Sequence, residues 1–180
     1  MLIPIALVIL AVIVVVAAVV LILAAMKPDT FIVRRTATIK ADPGKLFPAI
    51  NDFRNWAAWS PYEKLDPNMQ KTFSGAASGK GAIYEWKGND KAGTGRMEIL
   101  ESTAPNKITI KLDFLKPFEG HNTSEFTMSS KGDSTEVTWA VHGPSPFMMK
   151  VMHVFINMDK MMGKDFEAGL ANLKAVAERG

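Results

Sequence analysis

An α+β fold, in which one long C-terminal helix covers a curved antiparallel sheet of about seven strands, is predicted by three observations. Period-two apolar patterning recurs through the middle of the 180-residue chain, in short segments separated by turn residues. The last stretch, Pro146 to Arg179, repeats apolar residues at steps of three and four. The first stretch, Leu2 to Met26, is apolar without interruption. It therefore reads as a membrane-spanning helix set apart from the domain.

A helix needs about 20 apolar residues to cross a hydrocarbon core of roughly 30 Å. Of the 25 residues from Leu2 to Met26, 17 are Leu, Ile or Val and none is charged. Each of those contributes about −0.3 to −0.6 kcal/mol to insertion at a helix centre. Pro4 falls in the first turn, where its missing N–H would have no partner anyway. A cleaved signal peptide would open with positive charge and have an apolar core of only about 7–15 residues. Neither feature is present, so residues 1–26 are expected to stay as an anchor. Lys27, Arg34, Arg35, Lys40 and Lys45 follow it, while only the amino terminus precedes it. The positive-inside bias then expects the domain on the cytoplasmic side.

Beyond a polar linker, residues 27–30, the domain is expected over 31–180. All 21 basic and 18 acidic residues lie after residue 26, so the soluble part carries the net +3. No basic run exceeds Arg34-Arg35, and no nucleic-acid partner is expected from so mild an excess. The chain has no cysteine, which excludes a disulfide framework, a thiol nucleophile, a thiolate metal site and a cysteine-linked lipid anchor.

The first strand spans Phe31–Lys40, with Phe31, Val33, Arg35, Ala37 and Ile39 on the inner face and Arg35 near its exposed end. Asp42-Pro43 fits a helix start, Asp as N-cap and Pro at the first position. That helix runs to about Asn51 and buries Leu46, Phe47 and Ile50. A second short helix, Phe53 to Trp59, ends at Ser60-Pro61, since the residue before proline avoids the α region. Six strands follow: Met69–Phe73, Ala82–Trp86, Thr94–Ser102, Lys107–Phe114, Thr123–Ser129 and Thr135–Val141. Short loops between them make a meander rather than βαβ units. In the terminal helix the apolar stripe is Val151, Phe155, Met158, Met162, Phe166, Gly169, Leu173 and Val176. The wet face is Lys150, Asn157, Lys160, Lys164, Glu167, Lys174 and Glu178. A single rod of thirty residues would be about 45 Å long.

Particular residues in this order of elements resemble a known family. They are Asp52-Phe53-Arg54-Asn55-Trp56, Trp59-Ser60-Pro61, Gly79-Lys80-Gly81 before the strand ending in Trp86, Thr135-Glu136-Val137-Thr138-Trp139, and Gly163-Lys164-Asp165-Phe166 through Leu170 and Leu173. Together they resemble the START-like SRPBCC superfamily, in its polyketide cyclase/dehydrase branch, over nearly all of residues 31–178. The resemblance implies a helix-grip fold with an apolar cavity between sheet and terminal helix. It does not fix an activity, because fold alone does not.

Alternation places Ala82, Tyr84 and Trp86 toward the helix, with Met97, Ile99, Ile108, Ile110, Leu112, Phe114, Phe126, Met128, Val137, Trp139 and Val141. Facing them from the helix are Phe155, Met158, Met161, Met162 and Phe166. Trp56, Trp59 and Tyr62 are expected near the cavity mouth. Six methionines lie between Met148 and Met162, and unbranched thioethers repack around different guests. The expected ligand cavity is accordingly Trp56, Trp59, Tyr84, Trp86, Phe114, Phe126, Trp139, Phe155, Met158, Met162 and Phe166.

Catalytic patterns are sparse. The three histidines, His121, His142 and His153, show no HExxH or paired spacing, so no metal is expected. No GxSxG serine is present, and Gly88 to Gly95 lacks the GK[ST] of a phosphate loop. Glu85, Glu125, His142 and Asp165 are the acid–base candidates, the first three pointing outward in this register. No cofactor is implied. Three readings follow: a membrane-anchored binding domain for an apolar molecule (lipid-, quinone- or polyketide-like), a cyclase or dehydratase with a titratable group in the cavity, or a protein-interaction module with a filled core.

Overall fold

The computed structural model describes residues 2–179. It forms two compact units, Met1–Phe31 with Pro144–Met158, and Ile32–Gly143 with Asp159–Gly180.

The first unit holds helix α1 (Leu2–Ala25) and helix α3 (Phe147–Phe155). Residues Ile5–Ala25 make a helix long and apolar enough to span a membrane or to serve as a signal sequence. α1 packs against α3, and Ala24 is fully buried. The two helices are tied through the linker. The Ser145 amide donates to the Asp29 carbonyl at 2.7 Å, and Lys150 Nζ donates to the Asp29 carboxylate.

The second unit is the sheet and its covering helices. Strands β1 (Thr30–Ile39), β2 (Gln70–Gly75), β3 (Ala82–Lys87), β4 (Thr94–Thr103), β5 (Lys107–Lys116), β6 (Gly120–Lys131) and β7 (Ser134–Pro144) form one sheet in the order β1-β7-β6-β5-β4-β3-β2. β2 to β7 are antiparallel neighbours in sequence order, the meander that short loops require. The register aligns the inner residues in rows: Tyr84 with Met97, Met97 with Leu112, Leu112 with Asn122, and Ile108 with Phe126, Phe126 with Trp139. Eleven of the inward residues from Ala82 to Val141 are buried to 7 % exposure or less; Trp86 is nearly so, and Leu112 and Phe114 are only half-buried.

Helix α2 (Pro43–Asn51) begins as the sequence predicts. Asp42 Oδ1 accepts from the Gly44 amide at 2.7 Å, and Leu46, Phe47 and Ile50 are buried. Phe53–Ala58 and Pro61–Lys64 are 3₁₀ turns, the second not expected from sequence. Helix α4 (Met158–Glu178) covers the β1–β7 side of the sheet. Its Phe166 ring stacks on Trp139 at 4.2 Å between centroids, and Lys174 Nζ donates to the Thr38 carbonyl of β1.

The C-terminal stretch corrects the expectation of a single rod. It is two helices, α3 and α4, separated at Ile156, whose backbone is extended (φ −115°, ψ 125°). β-Branched Ile156 resists continued helix, and Asn157 immediately before α4 is a residue type that favours helix starts. The stripe persists only in α4, where Gly163, Phe166, Gly169, Leu170 and Leu173 are buried. In α3 the faces are reversed: Phe155 is 72 % exposed, whereas Lys150, expected on the wet face, is 8 % exposed. Asp29 supplies the partner that makes a buried ammonium tolerable. Arg35 also departs from expectation. It lies across α4, ion-paired to Asp159 at 2.9 Å and Glu167 at 2.7 Å.

Candidate functional site

The inner face of the second unit is organised by one connected set of aromatic rings. Trp56 lies 4.9 Å from Trp59 and 6.0 Å from Phe126 between centroids. Phe126 stacks on Trp139 at 5.0 Å, and Trp139 on Phe166. In the other direction Phe53 leads from Trp56 to Tyr84, and Tyr84 to Trp86 and Phe114. Eight of the predicted cavity residues therefore meet in this network: Trp56, Trp59, Tyr84, Trp86, Phe114, Phe126, Trp139 and Phe166.

They do not play one role. Trp56 and Trp59, expected at a cavity mouth, are at most 3 % exposed. Their indole N–H groups donate to the Ile50 and Ala49 carbonyls, each at 2.9 Å. Trp139 donates to Ser124 Oγ at 3.0 Å. With their polar atoms satisfied inside the protein, these rings and Phe126 and Phe166 are packed core. Phe155 and Met158 belong to the first unit, Phe155 with its ring exposed. Met162 is half-buried on α4.

Toward the β3–β6 end the inner face opens. Leu112 and Phe114 are half-buried, flanked by Met97, Tyr84 and Trp86. Trp86 lies flat over Gly95, where a Cβ would come 2.3 Å from its ring, and donates its Nε1–H to the Ala92 carbonyl. Beside Leu112 sits Asn122, on the same face as Ser124 and Phe126. Its side chain occupies the space left by Gly143, where a Cβ would stand 2.2 Å from Asn122 Oδ1. Asn122 is 8 % exposed, and among the described residues its amide makes no hydrogen bond.

Sequence reasoning missed Asn122 because the turn signal at Pro117 to Gly120 set the strand start at Thr123, three residues late. The available signal was the inward alternation Phe126, Ser124, Asn122. Tyr62 and Asp165 form a second polar point. Burial raises the Tyr62 hydroxyl above the ordinary phenol range, with the Asp165 charge adding to it. Burial likewise raises the Asp165 carboxyl. Tyr84 is also held up, by burial and by donating its hydroxyl to Glu63 Oε1 at 2.8 Å. Lys71 pairs with that same Glu63, making it a structural bridge.

The remaining acid–base candidates lie on the other side. Glu85 and His142 are exposed, and Glu125 pairs with Lys107. Asp113 also faces outward. Burial would raise its carboxyl, but bonds from His121 and Lys111 outweigh that and lower it. A groove of about 370 Å³ is bordered by Ala49, Arg54, Asn55, Trp59 and Val176, none of them a sheet residue; of the expected cavity residues it takes in only Trp59.

Solved structures share this architecture at low identity. Major latex-like protein 151 of Panax ginseng superposes with a TM-score of 0.60 at 14 % identity, covering 83 % of this chain and 99 % of that one. A Thermobifida fusca protein gives 0.59 at 15 %, covering 82 % and 93 %. Protein CV1439 of Chromobacterium violaceum gives 0.58 at 15 %, covering 84 % and 99 %. At such identity the likeness is one of fold. No curated protein matches the chain. Residues 30–178 match the family described as polyketide cyclase / dehydrase and lipid transport, from β1 to the last turn of α4, and the chain belongs to that family.

Proposed function

We propose that the domain binds an apolar small molecule, lipid-, quinone- or polyketide-like, at the β3–β6 end of the inner face, while α1 anchors it in a membrane. Asn122 carries this reading. Its amide has no protein hydrogen-bond partner among the described residues and is not among the fully buried unpaired groups, so a guest with a carbonyl or hydroxyl group can bond it in place of water. The apolar body of the guest would lie on Leu112, Phe114, Trp86 and Tyr84, with Met162 able to repack against it. Trp56, Trp59, Phe126, Trp139 and Phe166 form the rigid backing. The family's description, which includes lipid transport, supports the same reading.

Burying about 300 Å² of ligand at roughly 25 cal/mol per Å² gives about 7–8 kcal/mol before association costs. Micromolar affinity, about −8 kcal/mol, therefore needs the polar contact as well. Native mass spectrometry of the detergent-purified full-length chain should show a co-purifying apolar compound, and a fluorescent fatty-acyl probe should bind. Leu112→Trp should block the probe by filling its place. Absence of any guest, with probe binding unchanged by Leu112→Trp, would remove the reading. The cations after α1 favour a cytoplasmic domain, so protease added outside sealed right-side-out vesicles should leave it intact.

A second reading, a cyclase- or dehydratase-type enzyme, is favoured by one observation. Asp165 combines a raised carboxyl with a neighbouring tyrosine, as a general base or acid requires. Asp165→Asn would then abolish turnover while guest binding persisted.

A further inference from the structure

Helix α3 wears its faces inside out. Phe147, Met148, Met152 and Phe155 are exposed, Met148 and Phe155 each at 72 %, and Ile156 after them is exposed too. At 100° per residue those four helical positions fall within one arc of about 140°. The polar residues point the other way: Lys150 is buried against Asp29, and His153 Nε2 is buried and meets the edge of Phe31. A helix in water does the opposite.

The occupant of that apolar face is indicated by where α3 is tied. Its polar side is bonded to Asp29 through Lys150 Nζ, and the chain just before it through the Ser145 amide. Asp29 stands four residues after α1 ends at Ala25, at most about 14 Å of chain. α3 also packs directly on α1, where Ala24 is buried. If α1 spans a bilayer, α3 is held at the headgroup layer, which is only about 5–7 Å deep on each side. We propose that α3 is an interfacial helix whose Phe147, Met148, Met152 and Phe155 insert into the acyl boundary of the membrane that α1 crosses. This rests on the anchor reading. The anchor and α3 together then form one membrane-engaged unit, with the ion pair between buried Lys150 and exposed Asp29 as its clasp.

The chain's lack of cysteine permits a direct test in full-length protein reconstituted in phosphatidylcholine liposomes. Single spin labels would be placed at Met148→Cys, Phe155→Cys, Ile13→Cys within α1, and Asp133→Cys in the exposed β6–β7 turn. Power saturation would compare collisions with oxygen, which concentrates in hydrocarbon, and with a nickel chelate, which stays in water. Labels at 148, 155 and 13 should favour oxygen, and the label at 133 nickel. Labels at 148 and 155 that read like 133, while 13 reads hydrocarbon, would overturn the inference and leave the anchor standing. Low collision rates with both reagents at 148 and 155 would overturn it in favour of a protein cover. A label at 13 that favours nickel would overturn the anchor, and this inference with it.

Discussion

Two glycines show how single positions decide what the inner face can hold. At Gly95 a Cβ would meet the Trp86 ring at 2.3 Å and the Asp113 carbonyl at 2.6 Å. The ring is fixed by its bond to Ala92, so it cannot easily give way. Gly95→Ala is expected to cost about 1–3 kcal/mol by overpacking. It should also change Trp86 fluorescence, a joint readout in thermal and spectroscopic melts. Gly132 is limited differently: nothing lies within 4 Å, but its φ is +69°. There Gly132→Ala should cost about 1 kcal/mol through backbone strain alone and leave the spectrum unchanged. In the core proper, Phe126 is fully buried among Trp56, Trp59 and Trp139. Phe126→Ala should lower stability by about 3–5 kcal/mol, whereas Phe155→Ala should change it little in detergent, since that ring is exposed. Comparable losses for both would mean that α3 is packed with its faces the other way round.

At the scale of elements, α3 and α4 carry opposite lessons. α4 is seated by Arg35, whose guanidinium fills the position a Cβ would take at Gly163, 1.9 Å from Nη2. Arg35→Met should therefore speed amide exchange across residues 159–167. α3 responds to pH instead. Burial, with the Lys27 charge beside it, holds His153 below its ordinary 6.5. The unfolded form therefore binds the proton more readily, so the stability that neutral His153 contributes is present above about pH 6.5 and is lost as pH falls below it. Asp29, held below 3.8 first by the hydrogen bond from Lys150 and then by its charge, acts in the same direction only in stronger acid. Protection factors of the amides in residues 147–155, taken against the base-catalysed intrinsic rate at each pH, should fall from pH 7.5 to 5.5, and His153→Phe should flatten that dependence. The strands were legible because alternation is a local signal: Tyr84, Met97, Phe126 and Trp139 all face where period two puts them. The α3–α4 break was not, because steps of three and four continue through Ile156 and Asn157 unchanged. Nor could spacing show that Asp29, 121 residues away, would bury Lys150. Asn122 was hidden for a similar reason, since an unpartnered amide is a fact about neighbours and leaves no periodic trace.

For the whole molecule, the division into two units gives α1, the proposed anchor, a structural role as well. Met1–Phe31 and Pro144–Met158 form one unit although more than a hundred residues of chain separate them. Removing residues 2–26 therefore strips α3 of the helix it packs on and exposes Ala24's neighbours on α3; on the anchor reading it also releases the chain from a bilayer. Two outcomes are expected together. The full-length protein should stay in the alkaline-washed membrane pellet, and recovery of a soluble form beginning near residue 27 would show a cleaved signal instead. The chain lacking residues 2–26 should leave the pellet, yet still bind liposomes weakly through Phe147, Met148 and Phe155, with Phe155→Asp reducing that residual binding. The second unit should hardly notice the deletion. Its ring network, the Arg35 pairs and all of its sheet except Thr30, Phe31 and Pro144 lie within Ile32–Gly143 and Asp159–Gly180. A calorimetric trace should accordingly keep its main transition within a few degrees, because about 1 kcal/mol moves a domain of this size by only about 2–8 °C. A large fall in that transition would mean that α1 and α3 support the sheet directly, and that the two units unfold as one.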